Sequence, residues 1–210
     1  SVMSLTTPDG RERTYRLFVP SGGFGIAPLL VALHGGLGSG QQFESNSGFD
    51  GLATSNRFLV AYPDGIGRTP SGGLRTWNGG GCCGQAAAQQ VDDVSFVRAV
   101  VRDVSASYAI DPNRIYLTGH SNGAIMAIRL GCEAAQEFAA VFPAVAKDAR
   151  AALVPFLLEG VGGAPETARA ITDMVVRGAG AIGATAAYGL ALAAIAGLGR
   201  SRRRRRPCPS

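Results

Sequence analysis

Histidine and cysteine are scarce in this sequence, which limits the catalytic bases and the metal sites that it can form. Only two of the 210 residues are histidines, His34 and His120, so an imidazole base has just two sources. The four cysteines are Cys82, Cys83, Cys132 and Cys208. An adjacent Cys-Cys pair cannot easily supply two tetrahedral ligands with one further cysteine in the body, so the spacing does not indicate a metal site.

The cysteines leave two interpretations open. A disulfide from Cys82 or Cys83 to Cys132 would indicate an oxidising compartment, whereas buried free thiols would not. The sequence opens at Ser1-Val2-Met3 with no signal peptide. We therefore expect either a processed or truncated N-terminus or a protein that is not exported.

Basic charge is also scarce outside the C-terminus. Six arginines in the last eleven residues, Arg200 and 202–206, account for the formal net charge of +5. Without them, 14 basic groups face 15 acidic ones, which leaves −1 for residues 1–199. The body therefore has no basic face for nucleic acid, and we expect no nucleic-acid partner.

Hydrophobic patterning predicts alternating strands and helices over the first two thirds of the chain. Strands are predicted at 13–20, 28–33, 58–62, 114–118 and 138–146, and helices at 41–56, 93–107 and 124–132. Between them lie a Gly-rich loop at 65–90 and a turn at 111–113. This alternation predicts an α/β domain of residues 1–146 with a mostly parallel sheet covered on both faces.

The C-terminal third has a different character. An atypical segment at 147–177 precedes 22 uncharged residues at 178–199, and an Arg-rich tail fills 200–210. The length and flanks of 178–199 fit a membrane segment with cytoplasmic arginines, although it is poor in large apolar side chains. The alternative is a reading-frame shift or truncation near 147–177, which sequencing of the encoding DNA would decide.

A G-x-S-x-G pentapeptide, 119–123, follows strand-like sequence and precedes helix-like sequence. This arrangement is typical of a nucleophile elbow, in which a serine hydroxyl stands at the apex of a sharp strand-to-helix turn. It predicts Ser121 as a nucleophile and the N–H of Asn122 as an oxyanion donor. The loop after the strand at 28–33 carries Gly35 and Gly36, and we expect the second donor there, with Gly36 favoured.

Neither histidine is well placed to activate that serine. His120 precedes Ser121 directly, and neighbouring side chains at a sharp turn diverge. His34 lies in the predicted oxyanion loop, where a structural role is favoured. No histidine follows Ser121 in the sequence.

Residues from about 15 to 146 resemble the polyhydroxybutyrate depolymerase and feruloyl-esterase-like family of α/β-hydrolases. The resemblance rests on segments in family-like order and spacing: YRLFVP at 15–20, LHGG at 33–36, AYPDG at 61–65, WN at 77–78, CC at 82–83, VDDV at 91–94 with Phe96, DPNR at 111–114, and GHSNG at 119–123 with RLGCE at 129–133.

The resemblance implies a three-layer α/β-hydrolase sandwich and a secreted ester hydrolase without cofactor or metal. Its substrates would be hydroxyalkanoate or hydroxycinnamoyl esters, with Ser121 as nucleophile and a disulfide reaching Cys132. His34, Trp77 and Asn78 are weaker candidates for the substrate pocket, because a lone Trp in a loop is as often a hydrophobic plug.

The sequence departs from the family after residue 146. The family's His-Gly-x-x-Asp and Gly-Gly-His segments, which supply the triad acid and base, are missing, and the run at 153–158 continues as Glu159-Gly160-Val161-Gly162-Gly163. Two hypotheses follow. The chain is either a serine ester hydrolase or a catalytically incompetent, truncated or frame-shifted remnant of one.

Overall fold

The computed structural model describes residues 1–23, 25–67 and 73–144. The chain divides into two units, Ser1–Pro143 and Ala144–Ser210, and the first contains almost all of the described residues. The predictions for 147–210, including the apolar segment, the arginine tail and Cys208, fall outside the described residues. Within the described part, no helix combines the length and the hydropathy needed to cross a membrane.

A six-stranded sheet forms the centre of the first unit, in the order β1-β2-β4-β3-β5-β6. The strands are β1 (Val2–Thr6), β2 (Glu12–Phe18), β3 (Ala27–Leu33), β4 (Leu59–Pro63), β5 (Ile110–His120) and β6 (Ala140–Ala144). Strand β3 runs parallel to both of its neighbours, β4 and β5. The pairs β1–β2 and β2–β4 are antiparallel, so the predicted α/β class is confirmed with a sheet that is mixed rather than mostly parallel.

Five helices accompany the strands in the described residues: α1 (Gly40–Ser47), α2 (Phe49–Asn56), α3 (Gly84–Ala88), α4 (Asp93–Ser107) and α5 (Asn122–Glu133). The single helix predicted at 41–56 is two helices, because Gly48 adopts a left-handed backbone (φ 71°) that ends α1 and opens α2. The short α3 falls within the predicted loop at 65–90.

The turn predicted at 111–113 lies inside a strand. Strand β5 starts at Ile110, which pairs with Ala27, and Ile115 then pairs with Leu29. Ala27 and Leu29 are two positions apart on β3, whereas their partners on β5 are five positions apart. The extra residues of β5 form a bulge. The N–H of Asn113 donates to Asp111 Oδ1 at 2.9 Å, which is the hydrogen bond of an Asx-turn, so the predicted turn is present within the strand.

The core lies around the parallel strands. Every residue of β3 and of β4 is buried, as the continuous apolar runs predict. The predicted inner face of α4, Val94, Val97, Val101 and Val104, is buried as well. Strands β3 and β5 are parallel neighbours, so their carboxyl ends lie at the same edge of the sheet. The loop that contains Gly35 and Gly36 follows β3, and the turn that contains Ser121 follows β5.

A buried ion pair ties β2 to α4. Arg13 Nη2 donates to Asp93 Oδ1 at 2.8 Å, and the two side chains are 3% and 0% exposed. The guanidinium also lies 3.9 Å from the centroid of the Phe96 ring. Asp92, by contrast, caps α4 through the N–H of Ser95. Of the two adjacent aspartates, one is therefore a helix cap and the other a buried counter-charge.

We predict that Asp93→Asn lowers the free energy of unfolding by about 3 to 5 kcal/mol, because it leaves the buried Arg13 guanidinium without its counter-charge. Asp92→Asn is the matched control, since asparagine also caps helices and the expected change is within about 0.5 kcal/mol. Urea unfolding measures both. Equal effects of the two substitutions would contradict the assignment of Asp93.

Candidate active site

Ser121 occupies the turn between β5 and α5. Its backbone has φ 51° and ψ −117°, an unusual conformation for a residue with a side chain, and the residue is exposed. Its carbonyl accepts the first bonds of α5, from the N–H of Ala124 at 2.9 Å and of Ile125 at 3.2 Å. The strand-to-helix turn therefore presents Ser121 at its apex, and positive-φ strain of this kind is often found at functional sites.

The glycines on either side of Ser121 are required by close backbone contacts. A Cβ at Gly119 would lie 2.2 Å from the carbonyl oxygen of Gly123. A Cβ at Gly123 would lie 2.4 Å from the carbonyl oxygens of both Leu33 and His34. These contacts leave no room for a side chain at either position, and they bring the start of α5 against the end of β3.

The loop after β3 turns back beside Ser121. The N–H of Gly38 donates to the carbonyl of Gly35 at 3.1 Å, which closes a β-turn whose third residue, Leu37, has φ 67°. A Cβ at Gly35 would lie 3.6 Å from Ser121 Cβ, and one at Gly36 would lie 3.5 Å from Asn122 Cβ. The structure thus brings the predicted residues Gly35 and Gly36 next to the elbow.

Two backbone N–H groups at this junction have no acceptor within the described residues. Among the hydrogen bonds of the described residues, none is donated by the N–H of Gly36 or of Asn122. The Asn122 N–H is also at the amino end of α5, where the helix dipole favours negative charge. The arrangement can therefore hold an anion formed beside Ser121.

His34 is part of the framework, which corrects its prediction as a pocket residue. It is 1% exposed, and its Nε2 accepts the N–H of Gly65 at 2.9 Å. Its Nδ1 therefore carries the proton and donates to the carbonyl of Gly35 at 2.7 Å. Burial lowers the pKa of His34. With both ring nitrogens bound to backbone, this imidazole is not available as a base for Ser121.

Trp77 and Asn78 are also buried, so neither fits the predicted substrate pocket. Trp77 is 0% exposed, and its indole N–H donates to the carbonyl of His34 at 2.9 Å. The Asn78 side chain donates to the carbonyl of Val91 at 2.9 Å, and its backbone N–H donates to Asp93 at 2.8 Å. The Trp77-Asn78 loop is a support beneath the site.

His120 is exposed beside Ser121, but its ring makes no hydrogen bond among the described residues. The described residues likewise contain no hydrogen-bond partner of Ser121 Oγ. In the part of the chain that the structure describes, neither histidine is therefore positioned as a base for Ser121.

Cys82 and Cys83 lie in the loop that leads into α3, and Cys132 is exposed in the last turn of α5. Backbone hydrogen bonds from the N–H of Cys83 to the Trp77 carbonyl and from the N–H of Gly79 to the Cys82 carbonyl shape that loop. A disulfide from this loop to Cys132 stays a prediction.

Sequence reasoning missed the side chain of Asn122. Its Oδ1 accepts the N–H of Trp77 at 2.7 Å, and its Nδ2 donates to the Trp77 carbonyl at 3.0 Å. The two residues are 45 positions apart, and a polar residue inside a Gly-rich elbow gives no pattern that reveals such a partner.

Comparison with known protein families matches residues 13–154 to the family described as "Esterase PHB depolymerase". This match covers well over half of the chain. The chain belongs to this family.

Individual relatives agree with that assignment. Feruloyl esterase B of Piromyces equi is 38% identical over 126 residues, which are 59% of this chain and 22% of that protein. Poly(3-hydroxyalkanoate) depolymerase C of Paucimonas lemoignei is 31% identical over 142 residues, 68% of this chain and 33% of that protein. The chain thus matches between about a fifth and a third of these relatives' length.

Solved structures show the same fold. The acetyl xylan esterase from Aspergillus awamori superposes with a TM-score of 0.53 and 19% identity, covering 78% of this chain and 68% of the other. The S-formylglutathione hydrolase from Agrobacterium tumefaciens gives 0.52 and 16%, covering 70% and 58%. The α/β-hydrolase fold expected from the sequence is therefore confirmed.

We predict that His34 makes the stability of this family member pH-dependent. Below pH of about 6.5 the unfolded chain protonates His34 while the native state excludes that proton, so the free energy of unfolding falls towards pH 5 by at most about 1.4 kcal/mol per pH unit. Urea unfolding at several pH values should show a smaller slope in His34→Gln. The control His120→Gln should keep the full slope, and a His34→Gln slope equal to that of the unmodified chain would refute the prediction.

Proposed function

We propose that this chain is the core of a serine ester hydrolase that forms an acyl-enzyme on Ser121. The observation that carries the proposal is the junction of an exposed serine at positive φ with the N–H groups of Gly36 and Asn122, which have no acceptor among the residues that the structure describes. Such donors stabilise the negative charge that develops on a carbonyl oxygen during acyl transfer. Membership of an esterase family supports the same chemistry.

The reaction has two steps. Ser121 Oγ attacks the ester carbonyl carbon and loses its proton, and the carbonyl oxygen becomes the anion held by Gly36 and Asn122. The carbon–oxygen bond to the alcohol then breaks, and the alcohol leaves with a proton. Water attacks the acyl-enzyme in the same way, which releases the acid and returns the proton to Ser121. The proposal requires neither metal nor organic cofactor.

The second candidate is a catalytically incompetent remnant, and one observation favours it. Both ring nitrogens of His34 are bound to backbone, and His120 makes no bond to Ser121. Without a base, an oxyanion hole and substrate binding still give roughly 10³- to 10⁴-fold catalysis over water. The two candidates therefore differ in whether any hydrolysis depends on Ser121.

We further propose that the substrates are hydroxyalkanoate or hydroxycinnamoyl esters, presented as polymers or oligomers outside the cell. The names of the relatives, a feruloyl esterase and a poly(3-hydroxyalkanoate) depolymerase, support this substrate class. Exposed apolar side chains near the turn support it too: Leu37 and Leu74 are 65% and 48% exposed. The Leu37 N–H donates to the carbonyl of Arg75, the residue that follows Leu74. We propose residues 1–146 as the catalytic core.

Hydrolysis of p-nitrophenyl acetate and p-nitrophenyl butyrate, compared with Ser121→Ala, tests the function. Loss of activity in Ser121→Ala is expected from the hydrolase. Mass spectrometry after mixing should detect the acyl group on the peptide that contains Ser121. Rates equal to those of Ser121→Ala would establish the remnant instead.

We predict that Gly36→Pro lowers kcat by about 10²- to 10³-fold, because it removes one oxyanion donor. Proline suits the second position of the turn closed between Gly35 and Gly38, so the loop is expected to keep its shape. Gly36→Ala is the matched control, since it retains the N–H and its Cβ makes an ordinary 3.5 Å contact. Steady-state kinetics of both variants measure the effect, and equal kcat values would exclude Gly36 as the donor.

A further inference from the structure

The side chain of Asn122 has a role that the proposed reaction does not itself assign. It is 5% exposed, and it is bonded twice to the backbone of one residue, as acceptor from the Trp77 N–H and as donor to the Trp77 carbonyl. The carboxamide offers Trp77 one donor and one acceptor, as the backbone of a neighbouring β-strand does. The first residue of α5 is thereby fixed to the 75–77 segment.

The same segment also holds the opposite side of the oxyanion hole. The N–H of Leu37 donates to the carbonyl of Arg75 at 2.7 Å, which anchors the turn that carries Gly36. The indole of Trp77 adds a bond to the carbonyl of His34, just before that turn. Two donors from distant parts of the sequence are therefore anchored to three consecutive residues, 75–77.

We propose that Asn122 is a positioning residue whose carboxamide sets the separation of the Asn122 and Gly36 N–H groups. This inference rests on the proposed function, because it concerns the oxyanion hole of that reaction. The backbone of Asn122 touches the reacting atoms, whereas its side chain acts through Trp77. A misplacement of about 1 Å at a catalytic group is enough to cost about 10²-fold in rate.

The chemistry of the pair explains why an amide is needed. Aspartate would keep the bond from the Trp77 N–H but would set a second acceptor against the Trp77 carbonyl. Alanine would leave the Trp77 N–H without its partner in a buried setting and would remove one of the three donors to the Trp77 carbonyl, the other two being the N–H groups of Gly79 and Cys83. Either change removes the two-point attachment while leaving the Asn122 N–H in the chain.

Asn122→Asp is the decisive variant, and Asn46→Asp is its control. Asn46 is exposed on α1, and its side chain makes no hydrogen bond among the described residues, so it undergoes the same chemical change away from the site. We expect Asn122→Asp to lower kcat for p-nitrophenyl butyrate by about 10²-fold with KM changed less than twofold. Asn46→Asp should leave both parameters unchanged.

A second measurement does not depend on activity. The chain contains one tryptophan, so its indole N–H gives a single NMR signal, and the backbone amide signals of residues 36 and 122 can be followed beside it. In Asn122→Asp the signals of Trp77 and Gly36 should both shift, whereas in Asn46→Asp neither should. If Asn122→Asp fails to fold, Asn122→Ser, which keeps a single hydroxyl donor and acceptor, replaces it in both experiments.

The outcomes separate the inference from the function on which it rests. A reduced kcat at unchanged KM, with a shifted Gly36 signal, supports positioning. A lower melting temperature with unchanged kcat in the folded protein would show a merely structural bond and overturn it. If the unmodified chain shows no hydrolysis that depends on Ser121, the proposed function fails. The Gly36 signal then decides alone, and an unshifted signal overturns the inference.

Discussion

The site depends on the close approach of Gly123, at the start of α5, to the carbonyl oxygens of Leu33 and His34. Because a Cβ there would lie 2.4 Å from either oxygen, α5 can start directly against the end of β3. That proximity places Ser121 beside Gly35 and Asn122 beside Gly36. The neighbourhood of the exposed serine and the turn at 35–38 follows from this contact.

Buried polar groups then fix the geometry that the contact creates. His34, Trp77, Asn78, Asp93 and Asn122 are almost fully buried, and each is bonded to backbone. A buried polar group is costly unless it is paired, so each bond restricts the arrangements open to its loop. The Gly-rich segments around the site are thus held by side-chain bonds in place of secondary structure.

Local patterns predicted the parts of this structure that depend on neighbours in sequence. The buried faces of β3, β4 and α4 follow from apolar periodicity, and the turn at Ser121 follows from glycine spacing. The break at Gly48 escaped the helical pattern, because a single glycine does not reveal whether it will adopt positive φ. Asp92 and Asp93 are adjacent at the start of α4, so the sequence alone does not distinguish them. Only the tertiary structure shows that Asp92 caps the helix and that Asp93 is the partner of Arg13.

Contacts between residues that are far apart in the sequence could not be predicted from it. Arg13 and Asp93 are 80 residues apart, and nothing in either segment indicates the other. Trp77 and Asn78 lie in a Gly-rich segment of the kind usually found at the surface, so the sequence left open whether they line a pocket or are buried.

The most direct measurement is a crystal structure of the chain after reaction with a p-nitrophenyl alkylphosphonate, whose phosphoryl oxygen imitates the oxyanion. The account predicts phosphorus bonded to Ser121 Oγ, with that oxygen within about 3 Å of the backbone nitrogens of Gly36 and Asn122. An oxygen bound by other groups, or a reagent attached to another residue, would contradict it.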